Sequence, residues 1–221
     1  DILGGKRGFL TLYGGKVDSE VLTKGYQNGY EIENVYLKPY ASCRHSHPSI
    51  EAVLYALKEN YIDYNEIDSI KIKTYKAAVE GHDHKDIQGS NSAKMSIPFS
   101  VAVAIVTGKA GINQFSEYWI NNTAVKQLLD KISVDWDSDL TAAVPSKRSA
   151  IAIITTKSGE VFSRKVVYPK GEPENPMSIN ELKSKFFELA EFSGLSQRLA
   201  NEVTSTILSD GLDFLTLIKC I

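Results

Sequence analysis

The chain of 221 residues is 43% apolar, enough to bury a proper core in one large domain or two small ones. Its 25 basic and 27 acidic residues nearly cancel, so no global charge favours nucleic acid or an anionic membrane as partner. Two cysteines, Cys43 and Cys220, are too few for a disulfide-dense scaffold, and no apolar run reaches membrane-spanning length; the expectation is a cytoplasmic protein with free thiols.

The opening DILGGKRGFLTLYGG lacks an initiating methionine and reads as an internal loop and short helix, which predicts the later part of something longer. Residues 17–24 allow a short helix capped by Asp18 or Ser19 and ended by Gly25. Residues 31–38, EIENVYLK, alternate as a strand that delivers Lys38 to a loop. That loop, within LKPYASCRHSHPSIEA, gathers Lys38, Cys43, Arg44, His45 and His47 before Pro48 opens a helix of roughly residues 48–60. Free N–H groups at the helix end, with Lys38 and Arg44, suit a carboxylate or phosphate.

A turn at 64–66 leads into EIDSIKIKTYKAAV, a strand with one wet face. GHDHKDIQGSNSA is polar and glycine-bounded, hence a loop. In SIPFSVAVAIVTGKAG the period changes: Ser96 caps, Pro98 lies in the first turn, and Phe99–Val106 is apolar nearly all round, a buried helix stopped by Gly108. Residues 112–119 and 122–131 read as further helices, and KISVDWD as a short strand. RSAIAIITTKSGEVFSRKVVYP reads as a hairpin turning at Lys157, Ser158 and Gly159, its second strand reaching Pro169. PKGEPENPMS is a linker. Beyond it Ser178 and Glu181 form a capping box for a helix over 179–191, Gly194 separates a second over about 196–209, and the apolar LDFLTLIKCI follows.

Each side chain of the cationic loop has a functional and a plain reading. Lys38 is either a solvated strand end or a fixed cation that holds a carboxylate and stabilises an enolate. Cys43 is either a small buried residue or a thiol whose pKa the helix end and neighbouring cations lower. The fork of Arg44 matches carboxylates but is always open to a surface ion pair. His45 and His47 point the same way in an extended segment; with Cys43 they would form a compressed zinc site without the usual ligand spacing, so no metal is expected. His47 is also a cap candidate. His82, Asp83, His84 and Asp86 form a second cluster, read as solvated loop side chains.

KPYASCRHSHPSIEA together with SAKMSIPFSVAVAIVTG resembles the MmgE/PrpD superfamily of 2-methylcitrate dehydratase, cis-aconitate decarboxylase and iminodisuccinate epimerase. ILGGKRGFL is similar to the segment in which those proteins leave their first helical region. The resemblance implies an α+β fold class: a small mixed domain with an antiparallel sheet over 31–173, flanked by segments 1–30 and 174–221 that belong to a larger all-helical domain, with the active site in the cleft between domains. Lys38 matches the family's lysine in the active-site cleft. Cys43 stands where the decarboxylase and some dehydratases carry histidine, Arg44 and His47 match the KPY-C-R-H-P form of the motif, and Phe99 replaces a tyrosine common among relatives. The remaining catalytic aspartate and two histidines belong to an amino-terminal helical half with no counterpart in these residues.

The resulting expectation is part of a lyase that dehydrates a hydroxylated di- or tricarboxylate such as 2-methylcitrate, with catalytic Lys38, His47 and Cys43 and with Arg44, His45 and Phe99 binding substrate. Neither cofactor nor metal is expected, since no GxGxxG or P-loop occurs. The partners expected are the small acid, the missing helical half or another chain, and a second copy in a homodimer; this chain alone is expected to be inactive. An epimerase of a dicarboxylate and a non-catalytic carboxylate-binding or structural fragment are the alternatives.

Overall fold

The computed structural model describes residues 2, 5, 6, 8–14 and 29–209. The helix expected over 17–24 and the apolar end LDFLTLIKCI lie outside them. The chain divides into two units, Asp1–Val35 and Tyr36–Ile221. In the first, the expected short helix is α1, Phe9–Gly14, and Glu31–Asn34 forms a 3-10 turn.

The strand expected over 31–38 does not form. After the 3-10 turn, Val35–Lys38 is irregular, and Leu37 makes one backbone bond, its N–H donating to Gly171 O at 2.8 Å. Ile32, Val35 and Leu37 are all exposed, so the alternation has no sheet to bury an apolar face against.

The second unit is built on a four-stranded sheet in the order β2-β1-β3-β4, with β1 at Ile67–Thr74, β2 at Ile132–Trp136, β3 at Ala150–Thr156 and β4 at Val161–Val166. β1 pairs parallel with β2 and antiparallel with β3, and β3 and β4 are the expected hairpin, turning through Gly159 at φ 89°. The second hairpin strand ends at Val166 rather than Pro169. Period two divides the faces of β1: Ile70, Ile72 and Thr74 are buried, while Lys71 and Lys73 on the other face pair with Asp135 and Asp137 at 3.0 and 3.9 Å.

Helices cover the buried face. α2, His47–Glu59, lies against β3 and β4; α3, Lys76–Val79, and α4, Ser90–Met95, are short; α5, Ile97–Thr107, packs on α2, on α4 and on β2. α5 behaves as its sequence requires. Ser96 Oγ accepts from Phe99 N at 3.1 Å, Gly108 ends the helix at φ 69°, and Ile97–Ile105 is buried throughout. The loop expected at residues 81–93 ends earlier, because α4 starts at Ser90.

The helix expected over 112–119 breaks at Ser116 into a 3-10 turn, Ile112–Phe115, and α6, Glu117–Ile120. α7, Thr123–Lys131, is capped by Asn122, whose Oδ1 accepts from Ala124 N and Val125 N, and α8 is Ser138–Ala142. α9, Ile179–Phe192, carries the expected Ser178–Glu181 box, borders the 3-10 turn at Ile112–Phe115 and contacts α10, Gln197–Ile207.

Candidate functional site

The residues between Lys38 and Cys43 are irregular backbone held at both ends of the loop. Ala41 N donates to Ala110 O at 2.9 Å and Cys43 N to Lys94 O at 2.8 Å. Ser42 and Ser46 share a hydroxyl hydrogen bond of 2.7 Å, and Ser46 Oγ donates to Cys43 O. Arg44–Ser46 is then a 3-10 turn that runs into α2, with Pro48 in its first turn as expected. Local bonding, rather than a helix cap side chain, fixes this loop.

Lys38 and Cys43 line a cleft of about 560 Å³ together with Lys94 from α4 and Lys185 and Glu188 from α9. Three lysines and one glutamate thus line it, and Met95 and Leu189 add apolar wall. Lys185 donates to the Lys38 carbonyl, and burial, reinforced by the charge of Lys38, holds its pKa below the usual lysine range. Such a cleft favours a multiply charged anion.

Arg44 is nearly buried and paired with Glu172, its guanidinium 5.3 Å from the centroid of the Tyr36 ring. Its Nη1 is buried without a hydrogen bond among the described residues. The pair ties the loop to the turn after β4, and Arg44 does not line the cleft.

His47 is fully buried, edge-on to Tyr40 at 5.1 Å, with Nε2 donating to Ser42 O at 3.4 Å and Nδ1 without a hydrogen-bond partner among the described residues. Burial, with Arg44 adding to it, pushes its pKa down to about 3, so it is a neutral imidazole inside the protein. Phe99 is also interior, 1% exposed, with its ring 5.9 Å from that of Phe115.

His45 turns the other way. Its Nδ1 lies 2.5 Å from Tyr75 Oη, and its ring sits edge-on to His82 at 4.9 Å. Burial first, then the neighbouring His82, pushes its pKa down to about 4. The interior position of Tyr75 raises its phenol to about 12. His82 Nε2 is 3.4 Å from Cys43 Sγ, while its Nδ1 donates to Glu80 O at 3.0 Å.

The structure therefore brings Lys38 and Cys43 to one cleft, gathers Cys43 with His45, and leaves Arg44, His47 and Phe99 off the cleft wall. Sequence reasoning read His82 as a solvated loop residue and did not single out Lys94, Lys185, Tyr75 or Glu172. Lys94 lies inside the SAKMSIPFS motif, so a signal for it existed. Lys185 is one of two lysines on α9, with Lys183, and nothing in its spacing distinguishes it.

Against known families, the model of the MmgE/PrpD C-terminal domain matches residues 40–208. No individual curated protein matches the chain.

Proposed function

Because the chain belongs to the MmgE/PrpD family, we propose that its lysine-lined cleft holds the carboxylates of a di- or tricarboxylic acid, as part of a lyase that dehydrates a hydroxylated acid such as 2-methylcitrate. The observation that carries this reading is the convergence of Lys38, Lys94 and Lys185 on one cleft with Glu188 as the only acidic side chain lining it among the described residues. In this chemistry a base removes the proton alpha to a carboxylate, fixed cations stabilise the enolate-like charge, and the beta hydroxyl leaves as water. Lys38 is the cation assigned to that charge. Cys43 lies on the same wall, and no covalent step is assigned to it. His47 serves from the interior, as a neutral imidazole holding the Ser42 carbonyl and hence the loop.

In this reading residues 1–30 and 174–221 belong to a larger helical domain, the proton-abstracting base comes from an amino-terminal helical half, and the working enzyme is a cytoplasmic homodimer. Titration calorimetry tests the cleft. Citrate should bind well above acetate, and Lys38→Ala should lose about 1.5 kcal/mol or more of citrate binding, roughly tenfold or more, as one charge-assisted contact disappears. Equal affinity for the two acids would defeat the proposal. Exchange of the alpha proton with deuterated water without alkene formation would move the assignment to an epimerase.

A further inference from the structure

Outside the lysine wall, Cys43 has a second set of neighbours, and their arrangement is that of metal ligands. We propose that Cys43, His45 and His82 form a zinc site, with Cys43 Sγ and the Nε2 atoms of both histidines as ligands and a fourth position left for water or a carboxylate oxygen.

The ligand atoms of the three residues lie within 4.8 Å of one another, and all three side chains are half-buried. Zinc bonds of about 2.3 Å to sulfur and 2.0–2.1 Å to nitrogen at tetrahedral angles put two ligand atoms roughly 3.5 Å apart. Cys43 Sγ and His82 Nε2 are already 3.4 Å apart, and the other pairs, within 4.8 Å, need to close by at most about 1.3 Å.

Both imidazoles are oriented from behind. Glu80 O can only accept, so His82 Nδ1 carries a proton and, in the neutral ring, Nε2 is a lone pair aimed at the thiol. Tyr75 Oη can accept from His45 Nδ1–H, and in that tautomer, which the proposal requires, His45 Nε2 likewise presents its lone pair. Histidines whose second nitrogen is held by a carbonyl or hydroxyl are the usual form of zinc ligand. The desolvation that keeps His45 neutral also keeps it competent to ligate. Arg148 and Lys38 act on the same ring and oppose a dication, while the charge of Arg44 is taken up by Glu172. The thiolate supplies the compensating charge: binding forms one Zn–S bond, and the thiol proton passes to solvent with no change of oxidation state.

The chain spacing explains why the set is invisible in the sequence. Cys43 immediately precedes the 3-10 turn before α2, His45 lies within that turn, and His82 arrives from the polar segment after α3.

Cobalt(II) titration of the purified chain tests the site through absorbance alone, so its failure leaves the carboxylate cleft standing and the converse also holds. The expected result is a near-ultraviolet thiolate-to-cobalt band that saturates at one equivalent and is displaced by Zn²⁺. Cys43→Ser should abolish the band, and His82→Ala should weaken binding at least about 100-fold. Tyr75→Phe, which removes only the hydroxyl behind His45, should weaken it about tenfold. Cys220→Ser should leave it unchanged. Each variant is first shown to keep the parent's circular dichroism. No band in the unaltered chain, a band that survives Cys43→Ser, or parent-like binding by His82→Ala overturns the site.

Discussion

A histidine with no exposure resists protonation, and that resistance has a measurable cost in acid. The folded pKa of His47 is depressed to about 3, below the ordinary histidine value of about 6.5, so under mildly acidic conditions the unfolded chain binds the extra proton. Stability is therefore fully present above about pH 6.5 and falls as pH drops toward 3, by at most about 1.4 kcal/mol per pH unit for one group. His45, pushed down to about 4, acts in the same sense. Glu51 acts in the opposite sense, since burial raises its carboxyl and stability is lost as pH climbs past its unfolded value. Urea unfolding of the parent and of His47→Gln across this range isolates the histidine: the variant should show a shallower loss between pH 6 and 4, and parallel curves would refute the assignment. At the cleft, Gly111 lies against Glu188, whose Oε1 a Cβ would meet at 2.0 Å. Because the colliding atom ends a flexible side chain and Gly111 has φ −79°, Gly111→Ala should cost little stability. By moving the Glu188 carboxylate it should raise citrate affinity, measured by calorimetry.

The connection between the cationic loop and the turn after β4 rests on a glycine for a stronger reason. Gly171 has φ 91°, and a Cβ there would stand 1.8 Å from the backbone oxygen of Leu37, which has no flexible end to move. Gly171→Ala should destabilise the fold by about 1–3 kcal/mol through strain alone, with further loss from the Leu37–Gly171 bond, read as a lowered urea midpoint. The helix α5 makes a milder case: Ser96→Ala removes an N-cap and should cost about 1 kcal/mol. Elements of this kind were legible in the sequence because their causes are local. Ser96, Pro98 and Gly108 bound α5; Ser178 and Glu181 start α9; the period-two runs around Gly159 make the hairpin. The strand expected over 31–38 failed for the complementary reason, since alternation marks a strand only when a neighbour exists to pair with it. The site was half legible. Lys38 and Cys43 are close in sequence and stay together, whereas Lys185 and His82 arrive through long-range packing that no spacing encodes.

Over the whole molecule the formal charge is −2, yet the cleft gathers three lysines, so the field that meets a small anion is local. Citrate affinity should accordingly fall as ionic strength rises toward a Debye length of about 8 Å, and a flat salt series would speak against an electrostatic cleft. The ion pairs on the wet face of the sheet, Lys71–Asp135 and Lys73–Asp137, are about half exposed or less and hold little of the stability by themselves. Those lysines have a second consequence during synthesis. In the order β2-β1-β3-β4 the strand made first is an inner one, so β1 emerges from the ribosome with both edges unpaired. Its antiparallel neighbour begins only at Ala150 and its parallel neighbour at Ile132. Throughout that interval Ile70 and Ile72 lie on an open template for pairing with other nascent chains, and alternating Lys71 and Lys73 are the charges that discourage it. Replacing both with threonine would leave the native sheet nearly as stable and make the newborn chain aggregate.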